Sequence, residues 1–187
     1  MSGPAEILRD ALLRPEEAAQ LQAHGATEAA VLVPIYGYPD DPGLVFTERR
    51  HDLRRHAGEI SFPGGRQDPG EDLRQTALRE AEEEIGLDPA GVELVGALAP
   101  TPTVVTSYAI YPFVGVIEAA NAWRPSAGEV AEVLELSLPA LKAGYGRERL
   151  IRRGLPFRTD VYKTDGALIW GATARILEHL LRRLEAA

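Results

Sequence analysis

The sequence of 187 residues contains no cysteine, a single methionine and few aromatic residues, which make up 6% of the chain. The lack of cysteine excludes disulfide scaffolds, thiolate zinc sites, thiolate-bound iron–sulfur clusters and cysteine nucleophiles. No apolar run approaches the roughly 18 residues that a membrane span needs, and the N-terminus lacks the basic and apolar regions of a signal peptide. We therefore expect a cytoplasmic protein that has no membrane partner.

The formal net charge of −8 is unevenly distributed along the chain. Net negative charge disfavours sequence-independent binding to nucleic acid, so we expect no nucleic-acid partner. Residues 47–66 contain five arginines and three acidic residues, whereas residues 68–88 contain eight acidic residues and two arginines. If the acidic segment meets an anionic substrate, a divalent cation has to lie between them.

The hydrophobic pattern predicts interleaved helices and strands without a regular βα alternation, which is typical of an α+β fold with a mixed sheet. Residues 5–23 are predicted to be helical, with the second of two helices ending at Gly25. A hairpin is predicted from residues 29–36 and 44–46, joined by a turn at residues 39–43. Further strands are predicted at residues 92–98, 110–117, 130–136, 157–163 and 167–170, and a final helix at residues 172–184.

Residues 76–85 are predicted to form a short helix that ends at Gly86. Glu80, Glu83 and Glu84 stand at positions i, i+3 and i+4, so their carboxylates are expected to converge on one patch. Arg79 can pair with Glu83, but one guanidinium does not neutralise three carboxylates, whereas ligation of Mg²⁺ or Mn²⁺ would. The alternative is a solvated acidic helix face.

The spacing around this helix resembles the Nudix box: Gly65, five residues, Glu71, seven residues, then the run from Arg79 to Leu87. The resemblance implies the Nudix fold, a mixed β-sheet sandwiched between α-helices, and hydrolysis of a nucleoside diphosphate linked to another group. It further implies one Nudix domain over residues 1–187, with an N-terminal helical extension at 1–28 and the loop–helix–loop of the box at 64–87.

The resemblance also implies roles for individual residues. The expected ligands of Mg²⁺ or Mn²⁺ are Glu80 and Glu84, with Glu83 sharing the cluster and the glycine loop bringing the backbone of Gly64 close to the metal. The expected catalytic residues are Glu83, Glu80 and Arg79. Arg79 and Glu71 are expected to fix the geometry of loop and helix, and the structural positions of the box are Gly65, Glu71 and Gly86.

The base that takes a proton from water is left open at this stage, because Nudix enzymes differ in where they carry it. Glu83 in the helix is one candidate. Glu129 or Glu132, in the segment that follows residues 123–128, is the other.

The residues upstream of the box point to a substrate. The segment that contains Thr47–Arg49, Arg54, Gly58 and Phe62–Gly65 resembles the additional signature of coenzyme A pyrophosphatases. This implies that coenzyme A, or its oxidised or acyl derivatives, is cleaved to 3′,5′-ADP and 4′-phosphopantetheine. A subset of four arginines is expected to bind the 3′-phosphate, with His56 assisting; the four are Arg49, Arg50, Arg54 and Arg55.

Two alternatives remain. Pro102 lies about fifteen residues after the box, where Nudix enzymes that act on ADP-ribose tend to carry a proline, so ADP-ribose or another dinucleotide is the second candidate substrate. A non-catalytic nucleotide-binding module of the same fold is the alternative from a different class, although every acidic position of the box is present. The sequence is compatible with a monomer or a homodimer.

Overall fold

The structure is a computed structural model that describes residues 3–53, 56–103, 107–119, 122–152, 154–164 and 166–186. In these ranges the chain forms five α-helices and one short 3₁₀ turn, Pro89–Gly91. The helices are α1 (Pro4–Ala11), α2 (Pro15–Gln20), α3 (Leu73–Ile85), α4 (Leu138–Ala143) and α5 (Gly171–Glu185). No helix within the described ranges is long and apolar enough to cross a membrane.

The strands of the described ranges form two sheets. The larger sheet contains β1 (Thr27–Tyr36), β2 (Gly43–Arg49), β3 (Ile60–Ser61), β4 (Gly64–Arg66), β5 (Glu93–Ala97), β6 (Thr101–Pro102), β7 (Tyr108–Val116) and β8 (Val130–Ser137). The smaller sheet contains β9 (Tyr145–Arg152), β10 (Leu155–Thr164) and β11 (Ala167–Trp170) in the order β11-β10-β9.

Strand β1 is the centre of the larger sheet. It runs parallel to β7 along nine residue pairs and antiparallel to both β2 and β4, which makes the sheet mixed. Strand β5 extends the sheet beyond β7, and β8 pairs with β2. The continuous apolar sequence of β1 is what a strand covered on both faces requires.

The two faces of β1 contribute to two separate hydrophobic clusters. Val33 and Ile35 pack into a cluster with α1 and α5, whereas Ala30 and Leu32 pack with α2 and α3. Because successive side chains of a strand point to opposite faces, this division places helices on both sides of the sheet. The predicted α+β fold, a mixed sheet sandwiched between helices, is confirmed.

Most predicted elements are present, with several shifted boundaries. The hairpin of β1 and β2 forms as predicted, with Ile35 opposite Leu44. Helix α2 ends at Gln20 rather than Gly25, and β1 begins at Thr27, inside the segment expected to be a helical extension. The N-terminal helices contribute to the core, since Leu8 is fully buried in the same cluster as residues of α5.

Some elements were not predicted, and one of them changes the description of the site. Helix α4, strand β9 and the short strands β3 and β6 were not predicted from the hydrophobic pattern. The glycine segment expected to be a loop is in fact strand β4, in which Gly65 is opposite Ala30 and Gly64 is opposite Val31 of β1. The two box glycines are therefore held in the sheet, directly beneath α3.

Candidate active site

Helix α3 carries the acidic residues of the site, and its ends are well defined. It begins three residues earlier than predicted because the Asp72 side chain caps it, accepting hydrogen bonds from the amides of Arg74 and Gln75. It ends at Gly86, which has the left-handed conformation (φ 71°) that favours glycine. The buried face of α3, which includes Ala77, packs on β1, and the helix also contacts β4.

Glu84 lies at the base of the site and is only 7% exposed. Its Oε2 accepts a hydrogen bond of 3.0 Å from the amide of Gly64. Burial raises the pKa of Glu84 to about 7, and the nearby carboxylates of Glu80 and Glu129 add to this increase. The Gly64 amide and the Arg49 cation act in the opposite direction, so the local environment supplies only part of the positive charge that an ionised Glu84 requires.

Glu80 lies one turn before Glu84 and is half-buried against the other glycine of β4. A Cβ at Gly65 would overlap the Glu80 carboxylate, so any larger residue there would displace this side chain. Burial raises the pKa of Glu80, while a hydrogen bond of 3.0 Å from Arg79 lowers it. The two glycines thus let two carboxylates approach the backbone of β4.

Arg79 joins the helix to the segment that precedes it. Its Nε and Nη2 donate to the two carboxylate oxygens of Glu71 at 2.9 and 3.1 Å, and Nη2 also donates to the Arg66 carbonyl at 3.2 Å. The Arg79 bond holds the pKa of Glu71 down to about 2, with a further hydrogen bond from Thr76. The contacts expected for Glu71 and Arg79 from the Nudix box are therefore present in the geometry.

Glu83 lies at the exposed edge of the acidic group. Its side chain is 60% exposed and lies 3.3 Å from Nη1 of Arg79, the same nitrogen that donates to Glu80, and its charge raises the pKa of Glu80. Across the described parts of the chain, no group of three or more carboxylate or imidazole side chains is already arranged to hold a metal ion. Of the three glutamates, Glu80 and Glu84 are the two that are shielded, and Gly64 contributes its amide to Glu84.

A second segment is tied to the end of α3 by backbone hydrogen bonds that the sequence did not reveal. The amides of Arg124 and Ser126 donate to the carbonyls of Ile85 and Glu84 at 2.9 and 2.8 Å. The same segment brings Glu129 close enough to raise the pKa values of both Glu80 and Glu84. Glu132, the other loop candidate, is exposed in β8 and has no such contact.

The signature upstream of the box forms a closed loop between β2 and β3. The amide of Gly58 donates to the Arg49 carbonyl at 3.1 Å, and the Arg49 amide donates to the Glu59 carbonyl at 3.0 Å. Gly58 has a positive φ of 67°, which explains a glycine at this position. Phe62 stacks on Phe46 with ring centroids 4.5 Å apart, so this signature residue anchors the loop to the core.

The substrate-binding candidates in this loop have different surroundings. Arg54 and Arg55 lie outside the described residues. Nδ1 of His56 lies 2.6 Å from Glu59, so this side chain is engaged within the loop. Arg49 points to the carboxylates of the site, where its Nη1 lies 3.6 Å from Glu129.

An open cleft of about 510 Å³ lies beside Glu129, between the loop after β2 and the segment before β8. Arg50, His51 and Asp52 line one side. The other side is lined by small or apolar residues, namely Pro125, Ala127, Val130 and Ala131. The cleft therefore provides room for part of a ligand beside the segment that carries Glu129.

The donor groups at the site fit a hard divalent cation. Carboxylate oxygens are the ligands that Mg²⁺ and Mn²⁺ prefer, and the chain has no thiolates to favour a softer metal. Glu80 and Glu84 are shielded from water, and the raised pKa of each means that added positive charge would favour its ionised form. These two side chains are the ones best placed to hold such an ion.

Comparison with known proteins assigns the fold and the box to a family. A family model for the NUDIX domain matches residues 26–153. The chain is 39% identical over 177 residues to NudL of Salmonella paratyphi B, a Nudix hydrolase described as uncharacterized, across 93% of this chain and 90% of that protein. NudL of Salmonella newport is similar to the same extent.

Solved structures with lower identity share the fold. A MutT/nudix family protein from Enterococcus faecalis has a TM-score of 0.59 at 13% identity, covering 99% of this chain and 70% of that one. The Nudix hydrolase RenU from M. smegmatis has a TM-score of 0.53 at 19% identity, covering 64% and 75%. The NUDIX domain of NrtR from Shewanella oneidensis, solved with ADP ribose, has a TM-score of 0.50 at 18% identity, covering 76% and 88%.

The chain belongs to the Nudix family. Its sequence relatives, which it matches over nearly their whole length, are Nudix hydrolases, and the chain carries the hydrolase box at the site described above.

The Glu71–Arg79 pair gives the first testable prediction. We expect Glu71→Gln to lower the free energy of unfolding by about 1–3 kcal/mol at pH 7, because it removes a charge-assisted pair that is largely shielded. The folded pKa of Glu71 lies near 2, below the ordinary value of 4.5. The stabilisation is therefore present above about pH 4.5 and disappears as the pH falls towards 2.

Urea unfolding of both proteins between pH 2 and 7 measures this effect. The matched control is Glu82→Gln, an exposed glutamate of the same helix, for which a change within about 0.5 kcal/mol is expected. A difference between wild type and Glu71→Gln that stays constant over the whole pH range would contradict the prediction.

Proposed function

We propose that this Nudix hydrolase cleaves the pyrophosphate bond of coenzyme A, or of its oxidised or acyl derivatives, with Mg²⁺ or Mn²⁺ as cofactor. The products are 3′,5′-ADP and 4′-phosphopantetheine. The observation that carries hydrolysis is the pair of shielded carboxylates, Glu80 and Glu84, held against the glycine strand β4. The choice of coenzyme A is supported by the upstream signature, whose closed loop adjoins this pair through Arg49.

In the proposed reaction, water adds to one phosphorus and the bond from that phosphorus to the bridging oxygen breaks, leaving two phosphate monoesters. A divalent cation, when bound, neutralises pyrophosphate oxygens and lowers the pKa of a water. Glu80 and Glu84 would hold that ion, and Arg79 would fix the position of Glu80 by donating to it while it is held by Glu71 and the Arg66 carbonyl. The cleft beside Glu129 would receive a part of the substrate beyond the pyrophosphate.

The proton released by the attacking water needs an acceptor near the carboxylate pair. We propose Glu129 for this role, because it acts electrostatically on both Glu80 and Glu84 and its loop is bonded to the end of α3. Glu83 is the alternative within the helix: its charge acts on Glu80, and its pair with Arg79, at 3.3 Å, is closer than the pair of Glu129 with Arg49, at 3.6 Å. Glu132 is not supported by its exposed position in β8.

A dinucleotide such as ADP-ribose is the second candidate substrate, and Pro102 is the residue that favours it. This proline belongs to β6, which pairs with β7, and its carbonyl accepts a hydrogen bond of 2.6 Å from Arg175 of α5. Its side chain is exposed, and any residue could make these backbone contacts. A single proline gives less support to ADP-ribose than the signature, which extends over residues 47–65, gives to coenzyme A.

A substrate panel tests the proposal directly. The purified chain, incubated with Mg²⁺ or Mn²⁺, is expected to convert coenzyme A to 3′,5′-ADP and 4′-phosphopantetheine, resolved by chromatography. Dephospho-coenzyme A, ADP-ribose, NADH and a diadenosine polyphosphate serve as comparison substrates. Faster turnover of ADP-ribose would support the dinucleotide alternative, and nucleotide binding without any product would indicate a non-catalytic module.

Glu84→Gln tests the proposed ligand role. The substitution keeps the size of the side chain and an oxygen that can accept from Gly64, so the fold is expected to persist. We expect kcat to fall at least about 100-fold in saturating Mg²⁺, equivalent to about 2.7 kcal/mol. Glu82→Gln, on the exposed face of the same helix, is the control and is expected to retain full turnover. Equal rates for Glu84→Gln and wild type would reject the role of Glu84.

Arg54→Ala tests recognition of the 3′-phosphate, a role proposed from the signature. If Arg54 binds this phosphate, KM rises for coenzyme A and changes little for dephospho-coenzyme A, which lacks the group. A charge-assisted contact of this kind contributes about 1.5–3 kcal/mol. Steady-state kinetics on the two substrates measures the ratio, and an equal loss on both would show that Arg54 does not distinguish them.

A further inference from the structure

Arg49 and Arg50 are adjacent in the chain, but their guanidinium groups differ in how fully they are bonded. Nε and Nη2 of Arg50 donate to the two carboxylate oxygens of Asp52 at 2.9 and 2.7 Å, and Nη1 donates to the Ala127 carbonyl. Within the part of the chain that the structure describes, the side chain of Arg49 donates no hydrogen bond. Its ion pair with Glu129 is loose, at 3.6 Å.

The Nε atom of Arg49 is also buried without a hydrogen-bond acceptor among the described residues. A buried N–H group without a partner is rare and calls for a specific explanation. Arginine cannot remove this mismatch by losing a proton, because its guanidinium stays charged at any pH that the protein tolerates. An external anion that accepts from Arg49 would satisfy the group.

The position of Arg49 indicates where that anion would lie. Arg49 is the last residue of β2, pairs with Val130 of β8 at a register shift, and neighbours Glu129. Its charge acts on Glu84, and Glu129 acts on both Glu84 and Glu80. The donors of Arg49 are therefore at the carboxylate centre, where the phosphoanhydride of the substrate has to be cleaved.

Building on the hydrolysis proposed above, we propose that Arg49 binds the pyrophosphate group of the substrate rather than the 3′-phosphate expected from the sequence. Its Nε and an Nη donate to non-bridging oxygens, in the two-pronged geometry that guanidinium groups form with phosphates. The contact persists as negative charge develops on the leaving phosphate. Any nucleoside diphosphate linked to a further group presents these oxygens, so Arg49 serves catalysis and not the choice of coenzyme A.

Binding of imidodiphosphate, a non-hydrolysable analogue of pyrophosphate, tests the contact independently of turnover. In calorimetric titrations of the full chain with Mg²⁺ present, we expect Arg49→Gln to weaken imidodiphosphate binding at least about tenfold, equivalent to about 1.4 kcal/mol. Arg49→Lys keeps the charge but cannot form the bidentate hydrogen bonds of a guanidinium, so an intermediate loss of imidodiphosphate affinity is expected. Arg66→Gln removes one exposed charge from β4 at a residue with no proposed contact to the substrate, and is expected to weaken imidodiphosphate binding less than about threefold.

Two further measurements separate this role from the alternatives. Mn²⁺ affinity, measured by electron paramagnetic resonance, is expected to be equal or tighter in Arg49→Gln, because a positive charge near the carboxylates has been removed. The value of kcat/KM is expected to fall by the same factor for coenzyme A and dephospho-coenzyme A.

Three outcomes would overturn the assignment. Weaker Mn²⁺ binding in Arg49→Gln would mean that Arg49 only positions the carboxylates. Equal losses in Arg49→Gln and Arg66→Gln would indicate a general charge effect, and a loss confined to coenzyme A would indicate that Arg49 binds the 3′-phosphate. If neither coenzyme is turned over but imidodiphosphate binding still depends on Arg49, the proposed substrate fails while the assignment of Arg49 stands.

Discussion

The contact between the buried carboxylate of Glu84 and the amide of Gly64 is the interaction on which the site depends. It requires a glycine in β4, because a Cβ at residue 64 would overlap the Ala30 carbonyl and Val31 of the neighbouring strand. It also requires α3 to end its last turn over that strand, which Asp72 and Gly86 ensure by defining the ends of the helix. A carboxylate that is costly to bury is thereby kept where positive charge would compensate it.

Arg79 and the glycines have complementary effects on the acidic residues of α3. The guanidinium of Arg79 contacts Glu71, Glu80 and Glu83, and so offsets part of the charge at the outer side of the cluster. Among the described residues, the charge of Glu84 is instead stabilised by the Gly64 amide and, at longer range, by Arg49. The acidic helix is therefore stabilised along one edge, while its innermost carboxylate stays available to a cation.

The helix, its terminating glycine and the identity of the box were predictable from the sequence because each is encoded by residues that are close in the chain, the whole box within residues 65–87. The exposed position of Glu83 follows from helix geometry. At 100° per residue, Glu84 lies about 40° from Glu80 around the axis, whereas Glu83 lies about 60° away on the other side, on the same stripe as Arg79. Spacing of i, i+3 and i+4 thus made the three glutamates neighbours, but only Glu80 and Glu84 are shielded from water.

Other features could not be read from the sequence because they depend on distant partners. Gly64 and Gly65 have poor strand propensity and form β4 only because β1 supplies the pairing. The arginines of residues 49–55 are alike in sequence, and only the placement of Asp52 and Ala127 distinguishes the bonded guanidinium of Arg50 from that of Arg49. Likewise, the residues next to Ser126 in the sequence do not indicate that its amide is bonded to the end of α3.

The loop of residues 49–58 returns to its starting point, since Gly58 and Glu59 are hydrogen-bonded to Arg49 across its base. A segment whose ends are hydrogen-bonded to each other can gain or lose residues at a small cost in conformational entropy and without shifting the strands on either side. If the loop binds substrate as proposed, residues 50–57 can vary in length and side chains while Arg49 and the carboxylate pair stay in place. Exchanging residues 50–57 between members of the family would then alter what such an enzyme recognises.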